Sequence, residues 1–130
     1  MSLNFFRICC KITAVGNIIA AILAMVSMQN HLEMNYGTVE TNPVFRMFFY
    51  GFWIFVLTMG IAYWELSKNL FELRVIALIG AIGKLTLVGF WLHLFFTNQA
   101  KPMILSGIIY DGFFGMVLAI LYWKTLKKEV

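Results

Sequence analysis

Few residues of this chain have the means to do chemistry inside an apolar segment, and two of them carry formal charge, Lys84 and Asp111. Asn17 and Thr58 are polar residues of two other apolar stretches. A lysine and an aspartate set in such surroundings point to one of two things. Either they pair as a hydrogen-bonded lock that fixes helix order and register, or they titrate as a coupled unit on a path for protons, ions or a small solute. With one such pair and no further run of acidic groups at depth, the lock is the favoured reading.

Other chemistry has weaker support. There are no paired carboxylates at depth, no C-x-x-C, no helix with two histidines for a haem and no glycine-rich phosphate loop. The sequence thus assigns no catalytic residue and implies no cofactor. His31, Glu33, Glu40 and His93 offer metal-ligating types, but flexible connections hold most of them, so no metal is expected. Cys9 and Cys10 are adjacent. Neighbouring cysteines rarely bridge, and idle or buried thiols are the expectation.

The elements that would position these residues follow from composition. Of 130 residues, 62% are hydrophobic and 12% charged, with mean hydropathy +0.84. Crossing a hydrocarbon core of ~30 Å takes about 20 mostly apolar residues in a helix. Stretches at about 8–28, 46–66, 75–97 and 103–123 meet that length. The expected fold is all-α, a polytopic membrane four-helix bundle in a single domain spanning 1–130. Between the first two spans, QNHLEMNYGTVETN reads as a polar loop, and Thr41-Asn42-Pro43 as a helix start. Pro102 is expected to open the last helix.

The net charge of +4 does not indicate nucleic acid, because of where the cations fall. Arg7, Lys11, Lys68, Arg74, Lys124, Lys127 and Lys128 share one side of the expected bundle, against Arg46 and Lys101 on the other. The positive-inside rule then places both termini in the cytoplasm. The first segment is expected to be retained, since no A-x-A-like cleavage site follows it before Gln29. The partners implied are the lipid bilayer together with a second copy or another membrane protein.

At 1.5 Å per residue, Lys84, Asn17 and Thr58 come out about 12–13 Å deep and Asp111 about 18 Å deep. A lysine stem covers that offset. These four residues are therefore expected to form one intramembrane polar cluster. Gly80, Gly83, Gly107 and Gly115 flank the charged pair and are expected to let helices approach closely. Tyr63-Trp64 and Tyr122-Trp123 are expected to anchor the cytoplasmic interface. Pro43 precedes the first of these pairs by the same separation as Pro102 precedes the second, and residues 12–18 can be laid on 79–85. Each half then reads as a hairpin in a parallel repeat, produced by duplication or by convergence on a shared physical need.

Gly80 through Lys84, with Tyr110-Asp111-Gly112, resembles small bacterial membrane proteins near the DoxX-like group. That resemblance covers mainly the second half. It implies a four-helix bundle in a bacterial inner membrane, sometimes associated with redox or stress functions, and carries over no catalytic residue. Small multidrug transporters share the size, but they depend on a first-helix glutamate where this chain has only Asn17. The Gly-rich arginine motif of fluoride channels is not visible. The sequence thus describes an accessory or interaction subunit of the membrane, with a small transporter or channel as the alternative.

Overall fold

The computed structural model describes residues 2–127, so Lys128 lies outside the described residues. Within them the chain forms α1 Leu3–Val26, α2 Met28–Tyr36, α3 Pro43–Lys68, α4 Arg74–Phe96 and α5 Ile104–Leu126. All but α2 are long and apolar enough to cross a membrane. Their outward faces carry large apolar side chains such as Ile8, Ile19, Phe48, Ile109 and Phe113. A surface of that kind fits lipid rather than water. This is the architecture of a multi-pass membrane protein.

Local chemistry sets the helix ends. The Ser2 hydroxyl accepts the Phe5 N–H at 3.2 Å, starting α1 earlier than the apolar run suggests. Asn42 Oδ1 accepts the Phe45 N–H at 2.8 Å ahead of Pro43, the expected helix start. Pro102 does not open α5. It sits in a turn two residues earlier, where the Ile104 and Leu105 N–H groups bond to the carbonyls of Lys101 and Pro102 at 3.1 and 3.0 Å. α4 closes through Asn98, which takes a left-handed φ of 58°. The Gln99 N–H reaches the Leu94 carbonyl at 2.8 Å and the Asn98 N–H the Phe95 carbonyl at 3.1 Å, a Schellman arrangement.

The segment expected as a polar loop is helical through Tyr36. Ser27 breaks α1 with φ −131° and ψ 56°, and its hydroxyl donates back to the Leu23 carbonyl at 2.8 Å. The chain then turns into α2, which buries Leu32 and stops at Gly37 with φ 85°. A polar composition hid this helix because it needs only a short apolar contact, not a continuous apolar face.

α1 packs along α3, and α4 along α5, as two antiparallel pairs. The pairs meet each other over a shorter length, α1 against α5 and α3 against α4. One core cluster draws on both pairs, with Phe6, Ala14, Tyr63, Ala77, Leu118 and Leu121 among its members. It lies toward the end where α1 begins and α5 finishes, where Lys124 Nζ stands 5.7 Å from the Phe6 ring. A second cluster, Ala21, Ala24 and Trp53, belongs to α1 and α3 alone. At this far end α2 connects the pairs: Trp91 Nε1 of α4 donates to the Tyr36 hydroxyl at 3.2 Å, and the Lys101 N–H to the Asn35 carbonyl at 2.7 Å.

Candidate functional site: a buried charged triad

Each member of the site belongs to a buried helix face, built mostly of small residues on α4 and along the middle of α1, and of larger apolar residues around Gly115 on α5. On α4 the buried face is Ala77, Gly80, Ala81 and Lys84. On α1 it includes Thr13, Ala14, Asn17 and Ala21, and on α5 Asp111, Phe114, Gly115 and Leu118. These positions recur at three- and four-residue spacing, so each side chain faces the interior. The small neighbours allow the helix backbones to come close enough for the polar groups to meet.

Lys84 Nζ donates to Asp111 Oδ1 and to Asn17 Oδ1, the latter at 3.2 Å. The pair is enclosed, with side-chain exposures of 8% for Lys84 and 11% for Asp111. Burying either charge without a partner costs several kcal/mol, whereas a bonded pair recovers most of that cost. Asn17 has no charge to lose and supplies a second acceptor from α1. The triad therefore ties α1 of the first pair to both helices of the second. It sits where the shared core gives way to the separate far-end packing.

Tyr110, next to Asp111, completes the arrangement. Its ring centroid lies 5.2 Å from Lys84 Nζ, within cation–π range. Its hydroxyl points at the Ile12 and Thr13 carbonyls, 3.4 and 3.5 Å away. Only glycine at position 16 permits this, since a Cβ there would lie 2.0 Å from the tyrosine oxygen. The sequence reading did not single out Tyr110 as a site residue or Gly16 as a packing glycine. The available signal was adjacency: each is the immediate chain neighbour of a triad residue.

Thr58, expected in the cluster, is not there. It is exposed on α3, and its hydroxyl donates to the Ile54 carbonyl of its own helix at 2.9 Å. Threonine can satisfy itself in this way, so depth alone does not oblige it to face inward. Among the glycines, Gly80, Gly107 and Gly115 are packing positions: a Cβ would stand 2.3 Å from the Tyr63 oxygen, 2.7 Å from Trp91 and 3.0 Å from Leu85 respectively. Gly83 is not one, for nothing lies within 4 Å of its Cβ position. It sits on the outward face of α4.

Of the expected interface anchors, Trp64 and Trp123 are exposed and Tyr122 is half-buried. Tyr63 is no anchor. It is only 1% exposed, because its ring fills the space left by Gly80. Cys9 and Cys10 are free and buried.

At the far end, His31 sits edge-on to Trp53 with ring centroids 4.9 Å apart and packs beside Phe49. Burial lowers its pKa from 6.5. Glu33 accepts from Gln29 at 3.3 Å on the same helix, and His93 is exposed on α4. No group of three His, Cys, Asp or Glu side chains gathers among the described residues.

Compared with protein-family models, curated proteins and solved structures, the chain matches none of them.

Proposed function

We propose that this chain is an accessory or interaction subunit of a bacterial inner membrane, and that the Lys84–Asp111–Asn17 triad is its internal lock. The observation that carries the reading is the closure of the pair: the lysine has a bonded partner on each of two neighbouring helices, and both charges are enclosed. A lock of this kind defines which helices are neighbours and at what height. A cytoplasmic location for both termini is supported by the cation distribution, with Arg7, Lys11, Lys68, Arg74, Lys124 and Lys127 on the loops and ends that share one side of the bundle. The DoxX-like placement rests on Gly80–Lys84 and Tyr110-Asp111-Gly112 and adds no chemistry.

The interaction role draws on the outward face of α4. Gly83, Thr86 and Phe90 are exposed at helical spacing, with open space at the Gly83 Cβ position. Small and hydroxyl-bearing residues let helices associate closely in lipid. Gly83→Leu is expected to reduce self-association, or association with a co-purifying membrane protein, without loss of fold. Cross-linking in native membranes reads this, and undiminished association would remove that part of the reading.

The lock itself is tested with Lys84→Met, Asp111→Leu and the double variant. Each single change orphans a buried group, while the double removes both. The expected result is two unstable single variants and a double variant that folds and keeps its cellular phenotype. One observation favours the alternative of proton or solute passage: Tyr110, whose ring covers Lys84, also lines an outward-open groove. A double variant that folds normally yet loses its phenotype would decide for passage.

A further inference from the structure

The groove between α1 and α5 is lined by Lys11, Ile12, Val15, Gly16 and Tyr110 and has a volume of about 410 Å³. Its walls are almost wholly apolar and it opens outward rather than enclosing a cavity. In a membrane-spanning bundle, such an opening faces acyl chains. Its polar end is distinctive. Arg7, Lys11 and Val15 follow one another at four-residue spacing, so two cations and the groove wall share one helix face. Lys11 Nζ stands 5.9 Å from the Trp64 ring. Among the described residues, neither Arg7 nor Lys11 has a carboxylate partner.

We infer that this groove holds one acyl chain of an anionic glycerophospholipid, with the phosphate seated against Lys11 and Arg7 beside Trp64. The two parts of the site complement the two parts of that molecule. The cations stand at the α1 end, where a headgroup belongs. From Lys11 to Gly16 the helix descends about 7.5 Å toward the bundle middle, the direction an acyl chain takes. The upper part of the acyl chain then lies against the Tyr110 ring, the same ring that covers Lys84, and the rest continues into the bilayer. A seated lipid thereby holds Tyr110 over Gly16 and supports the closed triad. The site rests on the chain's placement in a membrane, not on the accessory role.

The probe is an equimolar mixture of phosphatidylglycerol and phosphatidylcholine offered to the purified full chain, with retained lipid counted by native mass spectrometry. The expected preference is about thirtyfold for phosphatidylglycerol, the factor two basic residues near the surface supply at ~1 kcal/mol each. Lys11→Gln should lower the preference to about fivefold, the share of the one remaining cation, and Lys11→Gln combined with Arg7→Gln should bring retention close to parity. Val15→Trp should fill the groove and lower retention of both lipids, with helical content by circular dichroism unchanged. Lys127→Gln, a cation away from the groove, should keep the wild-type preference. Parity in the wild type, equal losses in Lys11→Gln and Lys127→Gln, or undiminished retention in Val15→Trp would each overturn the site. Parity in a chain that still reconstitutes into vesicles removes the site and leaves the membrane placement standing.

Discussion

The two helix pairs are built alike and do different work. In each, a glycine on the returning helix fits beneath the polar residue of its partner. A Cβ at Gly60 would lie 3.3 Å from Asn17 Cβ, and one at Gly115 would lie 3.3 Å from Lys84 Cβ. Asn17 and Lys84 are also the residues that coincide when 12–18 is laid on 79–85. Yet the contact is out of step with the Tyr-Trp spacing, because Gly115 falls one helical turn before the position equivalent to Gly60. The halves share a packing solution and not a register. Charge is divided as unequally. The second pair contains both buried ions, joined by a tight turn, while the first contributes only a neutral amide. The first pair is in turn the one with α2 at its far end.

The largest expected effect separates these roles. Lys84→Met or Asp111→Leu should lower stability by about 3–5 kcal/mol, because a buried charge loses its partner. Asn17→Leu leaves the ion pair intact and should cost about 0.6 kcal/mol, and no more than ~1.7, as interhelical hydrogen bonds in membranes do. Unfolding of the purified protein in mixed detergent micelles measures both. Equal losses at positions 17 and 84 would mean that the two halves bear the lock jointly.

The glycines sharpen the comparison at the next level. At Gly60 an added methyl would meet the Ala14 backbone carbonyl at 3.1 Å and Ile18 at 2.8 Å, and a backbone cannot step aside. At Gly115 the nearest atoms belong to the Leu85 side chain at 3.0 Å, which can rotate. Gly60→Ala should therefore cost about 1–3 kcal/mol, as overpacking does, and Gly115→Ala distinctly less. Gly83→Ala meets nothing and should leave stability unchanged. The same unfolding assay ranks the three, and a reversed order would show that the first pair is the more compliant one.

These contrasts also show what the sequence could carry. The four long helices and the Lys84–Asp111 pairing were legible because length, charge and a short connection restrict the choices severely. Asn17 joined them because its amide cannot be satisfied by its own helix as easily as a hydroxyl can. Thr58 was misplaced for that reason: depth along a helix says nothing about direction around it. On α3 the buried Trp53, Gly60 and Ser67 recur every seven residues, a stripe that excludes position 58. Tyr63 was misread because an aromatic near a helix end suits the membrane interface, while its actual seat depends on Gly80 of another helix. The helix α2 was missed because its contacts, to Trp91, Trp53 and Phe49, come from segments distant in the chain.

The connection through α2 yields a smaller effect, confined to one end. Tyr36→Phe removes the acceptor for Trp91 Nε1 and should weaken the docking of α2 by about 1 kcal/mol, leaving the triad untouched. Amide exchange should rise within Met28–Tyr36 and stay unchanged around Lys84. A rise in both places would show that the far end and the triad are one cooperative unit.

The smallest effect is the pH dependence of that docking. His31 packs against Trp53 and Phe49 of α3, and burial lowers its pKa from 6.5. With the docked value lower than the undocked one, the undocked state binds more protons as the solution is acidified. Docking is then independent of pH above about 6.5, weakens as pH falls from there toward the docked pKa, and levels off below it. The neighbours on its own helix do not oppose this, since Glu33 is exposed and engaged by Gln29. Amide exchange of α2, corrected for the intrinsic rate, should quicken between pH 7.5 and 5.5. His31→Phe should flatten the profile while preserving the ring contacts. Should the variant keep the wild-type profile, the acid sensitivity of the far end would belong to another group.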